Sequence, residues 1–443
     1  MDNKILAGFS KVKITPPAGT PLGGNVRDKG AQGVHDDLFA KSVVLSDGKR
    51  EISFTSCALI GIPGTMVKQI RAKVEDLCKI PGEYSQIVAF HTHSGPETGI
   101  IFDEVNRDYL NELPGIIAQG ICQARESMEE VNLYICRGEE KTLCNNRRIW
   151  MKNGTLRMNW ENLELDQVKG PAGPVDPEVG VLVAENKKGQ ITGIILNYTC
   201  HPAILAGDNF LISEDYPGYT MRLIEEKTNG VCIFTNGATG NINHINIFDP
   251  HQKRGFYEAQ RLGTILGEKV LSIMEKRILL NVKDINLHRK IIQLPLRQIS
   301  PEKIKWAKSL VEGKKIKKVS LVDGISDEVY ARQIIALSKI RDKFLTTELD
   351  VLSLEDKLAL VSIPGELFVE YGLKIKEHSP FSYTYIVGYA NDYIGYIPTK
   401  KAFEEGGYEV RTGAASKLAS EAGDMILKET LELLNVAYQS SRA

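Results

Sequence analysis

The sequence predicts an α/β protein, and three observations carry that prediction. Short runs rich in β-branched residues alternate with longer segments of helical periodicity. No internal repeat, low-complexity tract or Gly/Ser linker interrupts the alternation. Hydrophobic content of 42% and charged content of 25% are ordinary for a globular chain, and 443 residues allow two or three domains or one large unit with insertions.

Taken in order, strands are expected at Glu51–Thr55, Gln86–Phe90, Gly193–Tyr198, Val231–Thr235, Leu358–Ile363 and Tyr383–Val387. Helices are expected at Gly64–Leu77, Asn106–Met128, Tyr219–Lys227, Ala259–Lys276 and Ala415–Leu434. The glycine cluster Gly19-Thr20-Pro21-Leu22-Gly23-Gly24 has no preceding strand and no following helix, so it reads as loop. A more charged region, 283–346, reads as a helical insertion or connector between a first part (1–282) and a second part (347–443) of one catalytic unit. Its first helix opens on Ser300 as cap and Pro301 at the first helical position, with Gly313 near its end. Its lysines, Lys303, Lys305, Lys308 and those from Lys314 through Lys318, read as a solvated face.

Charge and cysteine usage narrow the function. Lys+Arg (55) and Asp+Glu (56) nearly cancel, which argues against a nucleic-acid or anionic-membrane partner. The seven cysteines are scattered, with no C-x-x-C pair, as expected of reduced thiols rather than a disulfide framework or thiolate zinc site. The first residues lack the apolar core of a signal peptide, and no apolar run is long enough to span a bilayer. A cytoplasmic location without stable membrane association is therefore expected, and oligomeric state is not readable.

The informative pattern lies just after the strands. "QIVAF" runs into His91-Thr92-His93, "GIILNYTC" into His201-Pro202, "VCIFT" into Asn236-Gly237-Ala238-Thr239-Gly240-Asn241, and "LALVSI" into Pro364-Gly365-Glu366. In open α/β sheets ligands gather beyond the carboxyl ends of strands. Neutral imidazoles from two strand ends plus a carboxylate make a zinc set with a position left for water. Each signal alone has a plainer reading: an H-x-H pair bonding to backbone, a histidine buried before proline, a Pro-Gly-Glu turn opening a helix. No G-x-S-x-G elbow, Walker P-loop or H-E-x-x-H is present.

Together these residues resemble the neutral/alkaline non-lysosomal ceramidase family. The likeness runs from "AGFSKVKITPPAGTPLGG" and "GVHDDLFAKSVVL" through "HTHSGP", "NYTCHP", "SEDYPGY" and "PGELF" to "NDYIGYIPTKKAFEEGGYE". It implies a ceramidase-like catalytic domain, with a mixed sheet and helices on its faces. It further implies zinc held by His91, His201, Glu366 and Tyr396, with Tyr393 the less favoured tyrosine. His93 would face substrate or support the ligands. Tyr408 would be an active-site tyrosine, and Arg147 would match the family's arginine, although Arg148 adjoins it. Asn241 stands where the family has a serine, in "GATGNIN", so a hydroxyl does no work there. The family's secreted members carry a signal sequence and an extra C-terminal β-sandwich, neither of which is expected here.

The expected function is a zinc-dependent hydrolase that directs a metal-activated water at the amide bond of a small soluble N-acyl substrate, with His93, Arg147, Tyr408 and Asn241 around the reacting group. One alternative keeps the metal and cleaves an ester or glycosidic bond, or is a true ceramidase. Another is a non-catalytic binding protein on the same fold.

Overall fold

The computed structural model describes residues 4–313 and 325–442. Lys314, Lys315, Lys317 and Lys318 lie outside the described residues. The main sheet contains β1 (Leu6–Lys13), β2 (Phe39–Ser46), β3 (Glu51–Cys57), β4 (Ser85–Ala89), β5 (Glu129–Glu139), β6 (Glu178–Asn186), β7 (Ile191–Tyr198), β8 (Val231–Asn236) and β9 (Ile278–Leu280). Its spatial order is β8-β7-β6-β5-β1-β2-β3-β4, with β9 also on β5. The sheet is mixed: β3/β4 and β7/β8 are parallel, and the other pairs are antiparallel. Edge to edge, its two halves are paired over two residues alone among those described, Leu6 with Glu130 and Ala7 with Glu129. That weak joint lets β8 return against β1, β2 and β3. There the Ser56 hydroxyl donates to the Phe234 carbonyl at 2.6 Å. The ends of β4 and β7, far apart in strand order, thereby come together.

A second sheet has β10 (Ile285–Pro295), β11 (Phe344–Leu354), β12 (Leu358–Ser362) and β13 (Tyr383–Val387) side by side, with β12/β13 parallel. Period-two alternation sorts side chains between layers. On β2, Ala40 and Val44 face one cluster, and Val43 and Leu45 face the other. On β12, Leu358 and Leu360 join Val43, Phe54 and Ile195 between the sheets, whereas Ala359 and Val361 face outward. Both strands are buried on both faces, and Leu358–Ser362 accordingly reads as a nearly continuous apolar run, whereas β2 buries Lys41 and Ser42 among its apolar residues.

Helices close the two outer faces. Over the main sheet lie α1 (Gly64–Cys78), α2 (Arg107–Glu126), α3 (Asp215–Thr228) and α4 (Gly255–Met274). α1 buries Met66, Val67, Ile70, Val74 and Cys78, one stripe of a 3.6-residue repeat, and stops at Lys79 in left-handed backbone. α5 (Pro301–Val311) and α6 (Asp327–Leu337) form the inserted pair, and Ser300 caps α5 by accepting from the Lys303 N–H. Lys303, Lys305 and Lys308 are exposed. The second sheet is covered by α7 (Val369–His378) and by α9 (Ala422–Ser440), which follows the short α8 (Lys400–Glu405). The result is a four-layer α/β/β/α sandwich.

Boundaries moved for physical reasons. The region expected to be helical from 283 opens on an eleven-residue strand, because Ile285–Pro295 pairs along its whole length with Phe344–Leu354. The last helix begins at Ala422 rather than Ala415, because residues 415–419 bond outward: the Ala415 carbonyl accepts from the Tyr396 N–H, and the Ala419 N–H donates to Pro295. α3 begins four residues early, since Pro217 falls in its first turn, where proline forfeits no helical hydrogen bond. Among the described residues no helix is long and apolar enough to cross a membrane.

Candidate metal centre and active site

Carboxyl ends of β4, β7, β8, β12 and β13 converge on one spot. After β4 the chain turns through His91 with φ of 69°, a left-handed conformation that non-glycine residues seldom adopt. The turn is held by the His91 N–H on the Leu59 carbonyl (3.0 Å) and the His93 N–H on the Pro202 carbonyl (3.1 Å), so the two histidine loops are bonded together. Three imidazoles result. His93 Nε2 lies 3.3 Å from His91 Nε2 and 3.1 Å from His201 Nε2.

The other ring nitrogens set the tautomers. His91 Nδ1 is 2.5 Å from the Ile60 carbonyl, and His201 Nδ1 is 3.3 Å from the Thr239 carbonyl. A carbonyl only accepts, so each Nδ1 carries the hydrogen and each Nε2 lone pair faces the cluster. His93 Nδ1 is 3.0 Å from Asn25 Oδ1, which fixes that ring the same way. Burial lowers all three pKa values, that of His91 to about 3, so the rings are neutral at pH 7. Three lone pairs facing one another have nothing to bond unless a cation sits between them.

The donor set fits zinc. Tetrahedral zinc with Zn–N of about 2.0–2.1 Å places its ligand nitrogens about 3.3 Å apart, close to the spacing observed. Those three histidines form a candidate metal site, each offering a ligand atom within 4.8 Å of the others. Glu366 completes the surround. Its Oε1 accepts from the Tyr393 hydroxyl at 2.6 Å, while its buried Oε2 has no hydrogen-bond partner and lies 3.7 Å from His91 Nε2 and 3.8 Å from His201 Nε2. Burial raises its pKa to about 7, against the pull of Tyr393 and Arg147.

Glycine enters where backbone must come close. Gly24 has φ of 79°, and a Cβ there would sit 2.4 Å from His93 Nδ1; a Cβ on Gly240 would sit 2.3 Å from the Glu366 carbonyl oxygen. The early glycine cluster ends in loop, as expected, and the residue that follows it, Asn25, bonds His93.

The remaining candidates separate into those at the cavity and those behind it. Tyr396 pairs with Glu366 in a short parallel bridge, and its ring centroid is 5.6 Å from that of Tyr408. Arg147 lies over the rings of Trp160, Tyr396 and Tyr408 at 5.4–5.5 Å. With His93 and His201 these side chains line a cavity of about 380 Å³. The two adjacent arginines point in different directions: Arg147 lines the cavity, whereas Arg148 turns to Glu405 and the Gly406 carbonyl. Asn241 does not line it. Its amide accepts from the Val369 N–H and donates to Glu370 at 2.9 Å each, tying the loop to the start of α7.

His93 was expected to face substrate or support the ligands; its Nε2 lies within the three-imidazole cluster, and its N–H on the Pro202 carbonyl ties its backbone to the His201 loop. Sequence reasoning missed Asn25, Tyr389 and Glu409. Tyr389 stacks on His91 at 4.1 Å and meets the Thr239 hydroxyl at 2.8 Å. Glu409, fully buried, takes Arg147 Nε on Oε1 and Arg148 Nη1 on Oε2, both at 2.8 Å. Its position next to Tyr408 was its only signal.

No protein-family model matches the chain. The curated neutral ceramidase of Pseudomonas aeruginosa is 22% identical over 303 residues, 61% of this chain and 43% of that enzyme's length. The crystal structure of neutral ceramidase from Pseudomonas aeruginosa superposes with a TM-score of 0.75 at 17% identity, covering 99% of this chain and 75% of that one. A ceramidase complexed with C2 gives 0.74 at 17% identity, with 99% and 76% covered. The fold is therefore that of the ceramidase catalytic unit. In sequence and fold the chain is neutral ceramidase-like, and it spans less than half the length of the curated relative.

Proposed function

We propose that the protein is a zinc-dependent hydrolase of amide bonds in small, soluble N-acyl substrates. One observation carries the reading: three neutral Nε2 lone pairs and the unpartnered Glu366 Oε2 converge beside a cavity that His93 and His201 line. His91, His93 and His201 would hold the ion, with Glu366 and Tyr396 beside it. Bound zinc lowers the pKa of water toward neutrality and polarises a carbonyl. Around it the chain supplies orientation and charge. The Arg147 guanidinium, fixed by Glu409, presents a permanent positive charge where an oxyanion develops. The Tyr408 hydroxyl lines the same cavity and is the group available to donate a proton to the leaving amine. Tyr389 and Tyr393 wall the histidines and Glu366 from bulk water, which strengthens every charge interaction inside.

The likeness to ceramidases favours a second reading, in which ceramide itself is the substrate. Zinc-replete enzyme assayed on one acyl group presented as amide and as ester, on a simple glycoside, and on long-chain ceramide in micelles separates them. A soluble amide should give the highest kcat/KM by about tenfold or more, and chelation should abolish it. A ceramide value above that of every soluble compound would make the second reading the function. A cytoplasmic location is proposed with the first reading only.

A further inference from the structure

A second, narrower chamber reaches the candidate metal centre, and its lining includes His91, His93 and Glu366. It shares His93, Tyr396 and Tyr408 with the larger cavity, so a carbonyl held at the metal has one space for each of its two substituents. Among the described residues the chamber holds about 30 Å³, against about 380 Å³ for its neighbour. About 30 Å³ is one water molecule's share of the liquid, room for a methyl group and little more. The rest of its wall includes Ile101 and Phe102, from the loop after the histidine motif, Tyr330 and Gln333 from α6, and Gly413.

That wall is fixed from several directions. Glu97 Oε1 accepts from the N–H groups of Gly99, Ile100 and Ile101 at 2.9–3.2 Å, which holds the first loop. Gln333 Nε2 donates to the Ile101 carbonyl at 3.3 Å, and its Oε1 accepts from the Ala414 N–H at 3.0 Å. One α6 side chain thus ties together two loops that border the chamber. Arg411 pins the same helix, with Nη2 2.6 Å from Asp327 and its guanidinium 3.6 Å from the Tyr330 ring centroid. The packing has no slack: a Cβ on Gly413 would sit 2.6 Å from Gln333 Oε1 and 3.1 Å from Tyr330 Cδ1. A close-packed wall of this kind resists a guest of larger volume. The two linings also differ in kind. Asn25, Arg147 and Asn243 line the larger cavity and suit a hydrogen-bonding group. In the chamber Ile101, Phe102 and the Tyr330 ring suit an apolar one, while Gln333 and Arg411 are bonded within the wall.

We propose that this chamber seats the acyl group and admits none longer than acetyl, so that the substrates are N-acetyl or N-formyl derivatives of a polar amine. The proposal rests on the hydrolase reading and sharpens it. The amine part occupies the larger cavity, and α6 of the inserted helical pair sets the acyl length. The C–N bond breaks as the oxygen of water bonds the carbonyl carbon and its proton passes to nitrogen, giving acetic or formic acid and the free amine.

The test is an acyl ladder on polar amines: N-formyl, N-acetyl, N-propionyl, N-butyryl and N-octanoyl derivatives of glucosamine and of glutamate. kcat/KM is read on the zinc-replete enzyme, and binding to the full-length, chelator-stripped protein by calorimetry. Formyl or acetyl should be the best substrate, with a fall of about tenfold at propionyl and a larger one at butyryl, the discrimination one methylene commands in an apolar pocket. Phe102→Ala removes a wall, and in protein that melts as wild type it should bring butyryl to within about threefold of acetyl. Gln333→Ala frees both loops and should move the ratio the same way. Octanoyl equal to or better than acetyl, or a ladder unchanged in both variants, would overturn the chamber's role. Turnover of no compound would count against the hydrolase reading alone, and the binding ladder would then decide the chamber. Tighter binding of acetyl than octanoyl supports it; equal or tighter binding of octanoyl overturns it.

Discussion

His91→Ala and His201→Ala should each lose nearly all bound zinc and about a thousandfold or more in activity, while melting close to wild type. Both rings sit at the ends of loops beyond the strands rather than inside the sheet, so truncating them opens a polar gap and leaves the apolar layers whole. Losing the metal removes both the water activation and the carbonyl polarisation, several kcal/mol of barrier; a thousandfold corresponds to about 4 kcal/mol. His93→Ala should behave the same way, because its Nε2 is the member that lies within 3.3 Å of both others. Elemental analysis and a single-substrate assay on the same preparations read both effects. Zinc retained near one per chain in all three variants would mean that the cluster is not the metal site.

The second large effect is on stability. Glu409→Ala should destabilise the fold by about 3–5 kcal/mol, the loss typical when one partner is removed from a buried ion pair. Here one fully buried carboxylate serves two buried guanidiniums. Burial opposes its charge, yet Arg147 and Arg148 hold its pKa below the ordinary glutamate value. Without it Arg147 has no carboxylate partner and keeps only the Gly240 carbonyl, Arg148 keeps Glu405 and the Gly406 carbonyl, and Arg147 loses the bond that sets it against Tyr396 and Tyr408. Glu409→Gln keeps the shape and should retain part of the stability while still slowing catalysis. Urea unfolding of the two variants checks this, and a loss below about 1 kcal/mol for Glu409→Ala would show that the pair contributes little.

Particular residues show how far the sequence could be read. Ser85–Ala89, Ile191–Tyr198 and Leu358–Ser362 are short, apolar and followed by polar turns, so strands and their functional ends were legible together. The strand Ile285–Pro295 was not, because most of its residues are half-exposed and its lysine, arginine and histidine mask the alternation. Local cues also found the Ser300 cap, the Pro301 start and the loop role of Gly19–Gly24. What a single sequence cannot display is pairing across great separations. Glu409 meets Arg147 from 262 positions away, and Asn25 meets His93 from 68. Asn241 stood at a position where the resembled family places a serine, and that suggested a place in the cavity. Its contacts with Val369 and Glu370 turn it to the α7 start instead.

The central claim is that zinc is held by the imidazoles of His91, His93 and His201, with Glu366 beside them. X-ray absorption at the zinc edge of protein loaded with one equivalent tests it most directly. The account predicts only nitrogen and oxygen neighbours at about 2.0–2.2 Å, with the outer scattering of three histidine rings. In His93→Ala the metal should either be lost or show scattering from only two rings. Sulfur at about 2.3 Å, or an unchanged spectrum with full zinc in that variant, would contradict it.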